Sequence, residues 1–169
     1  VDIEATVELP LSLERYVSSK CFKLVYIGTI SSWLDFSLLQ QIVKSNNLIE
    51  VFLFGPSEVT IPNSERITYC GQVEHNAVFK IMEMADALIM PFVVNELIQS
   101  VNPVKLYEYI YSGKPCLSPL YEESCYFEDY VYLYGSAEEC ISLLNAICSK
   151  KRKSKKDIYS CREFCEKNT

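Results

Sequence analysis

The sequence predicts an α/β domain, because apolar runs of strand type alternate about five times with amphipathic helical patterns. The runs 23–29, 49–55 and 87–92 are almost continuously apolar and end close to glycine or proline, as strands buried in a parallel sheet do. A length of 169 residues suits one such domain. We therefore expect a Rossmann-like doubly wound parallel sheet with helices on both of its faces.

Turn residues separate the elements that follow the first strand. Gly55 and Pro56 end the second strand, and a capping box of Ser136 and Glu139 opens a long helix near the end. The first twenty residues show little clear period and carry Pro10. The remaining expected elements are a helix over 34–43 capped by Ser31, Ser32 or Asp35, a strand over 67–71, a helix over 78–85, strands over 115–118 and 131–134, and helices over 136–147 and 158–164.

The stretch from Pro91 to Pro115 carries the most informative signals. Asn102 is expected as the N-cap of a helix with Pro103 at its first position, and Gly113 ends that helix. Ligands of such sheets bind outside the carboxyl ends of the strands. The first turn of this helix is therefore expected to face the crevice, where free amides and the helix dipole suit a phosphate or pyrophosphate.

Lys105 and Glu108 share one face of this predicted helix. A lysine in the first turn opposes the helix dipole, unless an anion is bound between them. A carboxylate one turn later could accept hydrogen bonds from both hydroxyls of a ribose. An ordinary ion pair on a solvated helix face explains the same spacing, and the spacing alone leaves both interpretations open.

Other catalytic and metal-binding patterns are absent from the sequence. Neither a GxGxxG nor a GxxxxGK[ST] phosphate loop occurs, and the single histidine, His75, falls at a polar helix start where a surface position is expected. The eight cysteines form no CxxC pair and lie in apolar or helical patterns, so we expect reduced, mostly buried thiols. No metal and no cofactor are expected.

The formal charge of −6 is unevenly distributed. Residues 150–169 carry eight Lys or Arg against three Asp or Glu, which leaves −11 for the rest of the chain. So acidic a body is a poor binder of nucleic acid. The basic run 150–156 is interpreted as a solvated connector, with contact to an anionic membrane surface as the alternative. The sequence contains neither an apolar run of the roughly 20 residues that a membrane span needs nor an export signal, so a cytoplasmic location is expected. If the basic run contacts an anionic membrane, the expected location is the inner face of the cell membrane.

Several phrases of the sequence resemble the C-terminal, donor-binding domain of GT-B glycosyltransferases of the "glycosyl transferases group 1" or family 4 type. The resemblance covers roughly residues 23–150, and within that family it is strongest to the bacterial teichuronic-acid-type enzymes of surface-polysaccharide assembly. The matching phrases are YIGT at 26–29, WLDF at 33–36, VFLFGP at 51–56, ITYCG at 67–71, AD at 85–86, LIMPF at 88–92, NPVKLYEY at 102–109 and SGKP at 112–115.

This resemblance implies which residues touch the donor. The implied donor-binding residues are Gly28, Thr29, Ser31, Gly71, Gln72, Val73, Ser100, Asn102, Pro103, Val104, Lys105 and Glu108. The family usually has two glutamates eight residues apart; Glu108 matches the second, whereas the first falls on Ser100, so Glu96 is the candidate catalytic carboxylate. The family's Arg and Lys pair after the first strand is replaced by GTISS at 28–32.

The resemblance further implies a glycosyltransferase that uses a nucleotide-sugar donor, a UDP-sugar in particular, without a metal, and a surface-polysaccharide or lipid-linked acceptor. It divides the chain into an interdomain linker remnant at 1–22, the donor domain at 23–150, and a basic connector with a helix at 151–169. Val1 and Asp2 match the end of the family's NGVD phrase, so the acceptor-binding N-terminal domain is expected to be missing and the fragment inactive alone. A non-catalytic interaction module is the alternative, because the first glutamate and the basic pair are absent.

Overall fold

Six short strands with apolar side chains on both faces form one parallel sheet in the computed structural model, which describes residues 11–169. Along the sheet the strands lie in the order β3-β2-β1-β4-β5-β6. The strands are β1 (Phe22–Ile27), β2 (Ile49–Phe54), β3 (Ile67–Gly71), β4 (Ala87–Ile89), β5 (Cys116–Pro119) and β6 (Tyr132–Tyr134). The predicted doubly wound parallel sheet is therefore confirmed.

Seven α-helices connect or cover the strands within the described residues. They are α1 (Leu11–Ser18), α2 (Phe36–Ser45), α3 (Val78–Met84), α4 (Glu96–Gln99), α5 (Lys105–Tyr111), α6 (Ala137–Cys148) and α7 (Ile158–Asn168). Short 3₁₀ helices cover His75–Ala77 and Glu123–Phe127. Asp35 is the residue that caps α2, since its carboxylate accepts a hydrogen bond from Leu38 N–H at 2.9 Å.

Successive side chains of the strands enter two different hydrophobic cores. Val25 and Ile27 of β1 pack on the side of α1, α3, α5 and α7, whereas Leu24 and Tyr26 pack on the side of α2 and α6. This alternation explains why the strand sequences are almost continuously apolar.

Helix α1 lies within the segment that the sequence assigned to a linker at 1–22. Its Tyr16 is completely buried, packs edge-on against Phe52, and donates a hydrogen bond from its hydroxyl to the carbonyl of Ile81. Arg15 pairs with the buried Glu50 at 2.8 Å. Within the expected linker, residues 11–18 therefore pack on the domain as a helix, because one aromatic side chain enters the core. Residues 1–10, with Pro10 and the Val1-Asp2 phrase, lie outside the described residues.

Three further boundaries differ from the sequence prediction. Strand β4 ends at Ile89 rather than at residue 92, since Pro91 has no N–H to continue the ladder. The expected loop after it contains α4, which Asn95 caps by accepting a hydrogen bond from Ile98 N–H at 3.0 Å. Helix α7 continues to Asn168.

The cysteines largely follow the prediction. Cys116, Cys140, Cys161 and Cys165 are buried free thiols, and burial raises the pKa of Cys140 to about 12. Cys125 is the exception, because it lies exposed on a 3₁₀ helix rather than beside a strand.

Strands β1 and β4 separate at their carboxyl ends, where Tyr109 of α5 bridges them. Their pairing includes Val25 with Leu88, and two residues further on the amide of Ile27 donates to the Tyr109 hydroxyl at 2.9 Å. The same hydroxyl lies 3.4 Å from the carbonyl oxygens of both Ile27 and Ile89. Burial raises the pKa of Tyr109 well above its usual value, so the hydroxyl keeps the proton that it donates to one of them.

Replacing Tyr109 by phenylalanine tests this bridge. Tyr109→Phe leaves the buried Ile27 N–H without a partner, so we expect the free energy of unfolding to fall by about 1–3 kcal/mol. Urea unfolding followed by circular dichroism measures the loss. Tyr159→Phe is the matched control, because its side chain is 81% exposed and the substitution should leave stability unchanged. Equal stability of both variants would show that the bridge contributes nothing.

Candidate functional site

A cavity of about 420 Å³ lies outside the carboxyl ends of β1 and β4. In the order β3-β2-β1-β4-β5-β6 the chain reverses its direction of winding between these two strands, which is where open α/β sheets bind ligands. The residues that line it are Tyr26 and Ile27 at the end of β1, Gly28, Thr29 and Trp33 after β1, Met90 and Phe92 after β4, Leu97 and Ile98 of α4, Val101, Asn102, Pro103 and Val104 in the following connection, and Lys105 at the start of α5.

The β1 side of the cavity is held by hydrogen bonds from within the sheet. Gly28 N–H donates to the carbonyl of Phe54 at 2.9 Å, and the Tyr26 hydroxyl donates to the carbonyl of Thr29 at 2.8 Å. Burial raises the pKa of Tyr26, so this hydroxyl stays protonated. Hydrogen bonds therefore join the loop that follows β1 both to β2 and to the side chain of β1 residue Tyr26.

Gly55 supports the same loop from behind. A Cβ atom at Gly55 would lie 1.9 Å from the carbonyl oxygen of Gly28, and Gly55 has φ of +136°, which other residues rarely adopt. From the sequence, Gly55 was predicted only to end a strand. Its close contact with Gly28 was not predicted, because that contact joins two loops that are distant in the chain.

The start of α5 differs from the prediction. The helix begins at Lys105 and has seven residues, so Asn102 is not its N-cap and Pro103 is not its first position. Val104 N–H donates to the carbonyl of Asn102 and Leu106 N–H to that of Pro103, which engages amides that the sequence predicted to be free. A tight turn fixed by Pro103 therefore replaces the expected first turn, and the positive charge on this side of the cavity comes from Lys105.

Lys105 and Glu108 form an ion pair with 2.7 Å between Nζ and Oε2. The two side chains are 32% and 33% exposed, so the pair is half-buried rather than on the solvated face that the alternative interpretation assumed. Glu108 Oε2 is buried and, among the described residues, has this ion pair but no well-oriented hydrogen bond. Lys105 is the one charged residue that lines the cavity, and the other lining residues are mostly apolar.

The structure brings together half of the residues that the sequence assigned to the donor. Gly28, Thr29, Asn102, Pro103, Val104 and Lys105 line the cavity, and Glu108 reaches it through its ion pair with Lys105. The other predicted residues lie outside the cavity lining. Ser31 is buried, and Glu96 and Ser100 are exposed on and after α4. Gly71 ends β3, two strands away, and Gln72 and Val73 follow it.

The apolar wall of the cavity was not predicted as part of the site. Trp33, Phe92 and Leu97 line it, and the backbone of Trp33 accepts a hydrogen bond from Val93 N–H at 2.8 Å. The signal in the sequence was the position of Trp33 just after the first strand. Trp33 is the single tryptophan of the chain, so its fluorescence reports on this cavity.

Metal-binding clusters and membrane-spanning helices are both absent from residues 11–169. No group of three or more His, Cys, Asp or Glu side chains there is arranged to hold a metal ion. None of the helices in the same range has both the length and the apolar character that crossing a bilayer requires.

The fold resembles the Rossmann-like domain of GT-B glycosyltransferases, as superposition on solved structures shows. The Anabaena protein Alr3699/HepE, solved in complex with UDP and glucose, superposes with a TM-score of 0.70 at 12% identity, covering 92% of this chain and 46% of its own. Sucrose-phosphate synthase from Thermosynechococcus elongatus gives a TM-score of 0.68 at 13% identity, covering 94% and 45%. The E. coli trehalose-6-phosphate protein solved with UDP-2-fluoro glucose gives 0.60 at 11% identity, covering 98% and 45%.

Among curated proteins, the chain is similar to TuaH of Bacillus subtilis (strain 168), named as a teichuronic acid biosynthesis glycosyltransferase. The two are 28% identical over 136 residues, which is 74% of this chain and 33% of TuaH. No family model matches the sequence. The resemblance to a GT-B C-terminal domain is confirmed, and the chain spans a third to a half of the length of these relatives.

Replacing Gly55 tests the support of the β1 loop. In Gly55→Ala the new methyl group meets the Gly28 carbonyl, so we expect a larger loss of unfolding free energy than the roughly 1–3 kcal/mol that a strained backbone alone costs. Gly71→Ala is the matched control, since Gly71 also has a positive φ, +83°, but nothing within 4 Å of the added atom. Urea denaturation compares the two variants, and equal losses would contradict a tight contact between the loops.

Proposed function

We propose that this domain binds the nucleotide-sugar donor of a glycosyltransferase, with the diphosphate in the cavity between β1 and β4. The observation that carries the proposal is the position of Lys105, one cation in an otherwise mostly apolar cavity at the switch point of the sheet. A cation in partly buried surroundings attracts a phosphate more strongly than it would in water, because screening is weaker there.

In the proposed complex Lys105 contacts the phosphates and Glu108 binds the ribose. The present ion pair holds the lysine at the edge of the cavity, and an entering diphosphate would share its ammonium group with Glu108. Gly28, which has no side chain, would let the ligand approach the backbone closely, and Thr29 would offer its N–H and hydroxyl groups from the opposite side. During transfer Lys105 would stabilise the negative charge that develops on the departing nucleoside diphosphate.

A UDP-sugar is the proposed donor, and two structural neighbours support it. One was solved with UDP and glucose, and another with UDP-2-fluoro glucose. The uracil base is proposed to lie beside Gly71, Gln72 and Val73, because β3 ends at the same edge of the sheet as β1 and β2.

The whole enzyme is proposed to transfer a sugar to a surface-polysaccharide or lipid-linked acceptor, which the similarity to TuaH supports. The acceptor would bind to a second domain across the cleft, with Glu96 as the candidate carboxylate facing it. Since such catalysis depends on a closed, water-poor cleft, we expect these 169 residues to hold a donor without glycosylating an acceptor.

Titrating Trp33 fluorescence with nucleotides tests donor binding. We expect UDP to change the emission, and Lys105→Ala to weaken its affinity about tenfold or more, because a charged hydrogen bond contributes about 1.5–3 kcal/mol. Lys80→Ala, which removes an exposed lysine on α3, is the matched control and should bind as the parent does. GDP and ADP in parallel titrations report the preference for the base.

A non-catalytic interaction module is the second candidate, and one observation favours it. Ser100 stands where the family's first glutamate is expected, and the GTISS loop replaces its basic pair. The titration separates the two functions: the absence of any response to UDP, GDP or ADP at millimolar concentration, or equal binding by Lys105→Ala, would refute the donor site and leave the interaction module.

The proposed base site makes an independent prediction. On addition of UDP we expect the amide resonances of Gly71, Gln72 and Val73 to shift together with those near Glu108, because both would contact one extended ligand. Uracil, which lacks both the ribose and the diphosphate, should shift the first group more than the second. Two-dimensional NMR of the labelled chain measures this, and shifts confined to the amino ends of the strands would contradict the proposed site.

A further inference from the structure

A second and larger cavity, of about 630 Å³, lies at the opposite, amino edge of the sheet. Phe22 at the start of β1, Asp86 just before β4 and Pro115 just before β5 form its floor. The segment between α6 and α7 forms its other wall. Because the donor cavity is at the carboxyl ends of the same strands, the two cavities are separate.

Six cations line this second cavity, against two carboxylates. The cations are Lys114, Lys150, Arg152, Lys153, Lys155 and Lys156, and the carboxylates belong to Asp86 and Asp157. Within residues 11–169 none of these six cations forms a salt bridge. The cluster therefore concentrates positive charge in a chain whose first 149 residues carry a net −11.

Both carboxylates are already engaged with backbone donors. Asp86 Oδ2 accepts a hydrogen bond from Lys23 N–H at 2.7 Å. Asp157 caps α7 by accepting from the amides of Tyr159 and Ser160, both at 3.0 Å, and these bonds lower its pKa together with the one from the Ser160 hydroxyl. Within residues 11–169 neither carboxylate forms a salt bridge with the lysines beside it.

Hydrogen bonds tie the backbone of the basic segment to the rest of the fold, while its charged side chains are exposed, as expected of a solvated connector. Its backbone leaves α6 through Lys150, which has φ of +61°, while Lys151 N–H donates to the carbonyl of Ala146. The Tyr132 hydroxyl donates to the carbonyl of Lys153 at 2.6 Å, and the Ser154 hydroxyl donates to that of Gly113. Folding therefore brings like charges close together, and their repulsion destabilises the folded state. A bound anion would offset this repulsion.

Tyr132 also orders two of the cations directly. The guanidinium of Arg152 and the ammonium of Lys155 lie 5.8 Å and 5.4 Å from the centre of its ring, and Lys155 further donates to the carbonyl of Glu128. Lys150, Lys153 and Lys156 are exposed around them. Of the six cations, two thus contact the Tyr132 ring, Lys114 is half-buried, and the other three are exposed.

From this arrangement we infer a second ligand site that binds clustered phosphate groups, at the edge of the sheet opposite the donor cavity. The concave shape of this cavity and its surplus of cations suit a phosphorylated small molecule or the phosphate headgroups of an anionic lipid surface. Both ligands would be bound in the same way, by cations that pair with phosphate oxygens. The inference does not depend on the proposed donor site, because the two cavities have no lining residue in common.

The test compares two variants of equal charge. Lys150→Gln/Lys153→Gln/Lys156→Gln removes three exposed cations of the cavity but keeps Arg152 and Lys155, which contact the Tyr132 ring. Lys20→Gln/Lys44→Gln/Lys80→Gln removes three exposed lysines elsewhere. Inorganic tripolyphosphate is the soluble probe, and the amide resonances of residues 150–158 report its binding. We expect its affinity to fall at least about tenfold in the cavity variant and to change less than about twofold in the control.

A second arm identifies the source of the phosphate. Vesicles of phosphatidylcholine with about 30% phosphatidylglycerol, at ~50 mM salt, are floated with the same three proteins. Flotation that is lost only in the cavity variant assigns the site to lipid headgroups, whereas tripolyphosphate binding without flotation assigns it to a soluble phosphate compound. An equal loss in both variants, or no response of the parent chain to either probe, would overturn the inference.

Discussion

The hydroxyl of Tyr109 is the contact on which the candidate site depends. Strands β1 and β4 are neighbours in the sheet, yet near their carboxyl ends the amide of Ile27 bonds to this hydroxyl. A fully buried tyrosine can satisfy the amide while its proton is shared between two carbonyl oxygens, each 3.4 Å away. The same side chain thereby docks α5 against the sheet, and with it Lys105, four residues earlier on the helix.

The loop after β1 depends on a second close contact. Gly28 and Gly55 lie back to back, so that the loops after β1 and β2 approach more closely than any side chain would permit. Two hydrogen bonds then hold the β1 side to the β2 side. Gly28 N–H donates to the carbonyl of Phe54, and Ile30 N–H donates to the carbonyl of Pro56. Together with Tyr109, this contact gives the cavity a rigid wall on each side, and preorganised groups bind a ligand with less loss of conformational entropy.

The two edges of the sheet differ in their electrostatics as well as in their shape. The carboxyl edge has a mostly apolar cavity with the single cation Lys105, whereas the amino edge has a wider cavity with six cations. A phosphate would meet one well-placed charge at the first and a cluster at the second. The two sites are therefore expected to differ in salt sensitivity, since exposed clusters are screened more than half-buried charges.

The sequence by itself determined the α/β class and most of the elements, because the apolar period is local and each turn carries its own glycine or proline. It also singled out Gly28, Thr29 and Lys105, which follow or face the strand ends and do line the cavity. The tertiary structure alone decided that Tyr16 makes α1 part of the core, that Pro103 shortens α5, and that Gly55 supports Gly28. It likewise decided that the basic segment is folded against Tyr132. Each of these features depends either on a contact between residues distant in the chain or on competition between neighbouring hydrogen bonds. Such contacts and such competition leave no periodic pattern in the sequence.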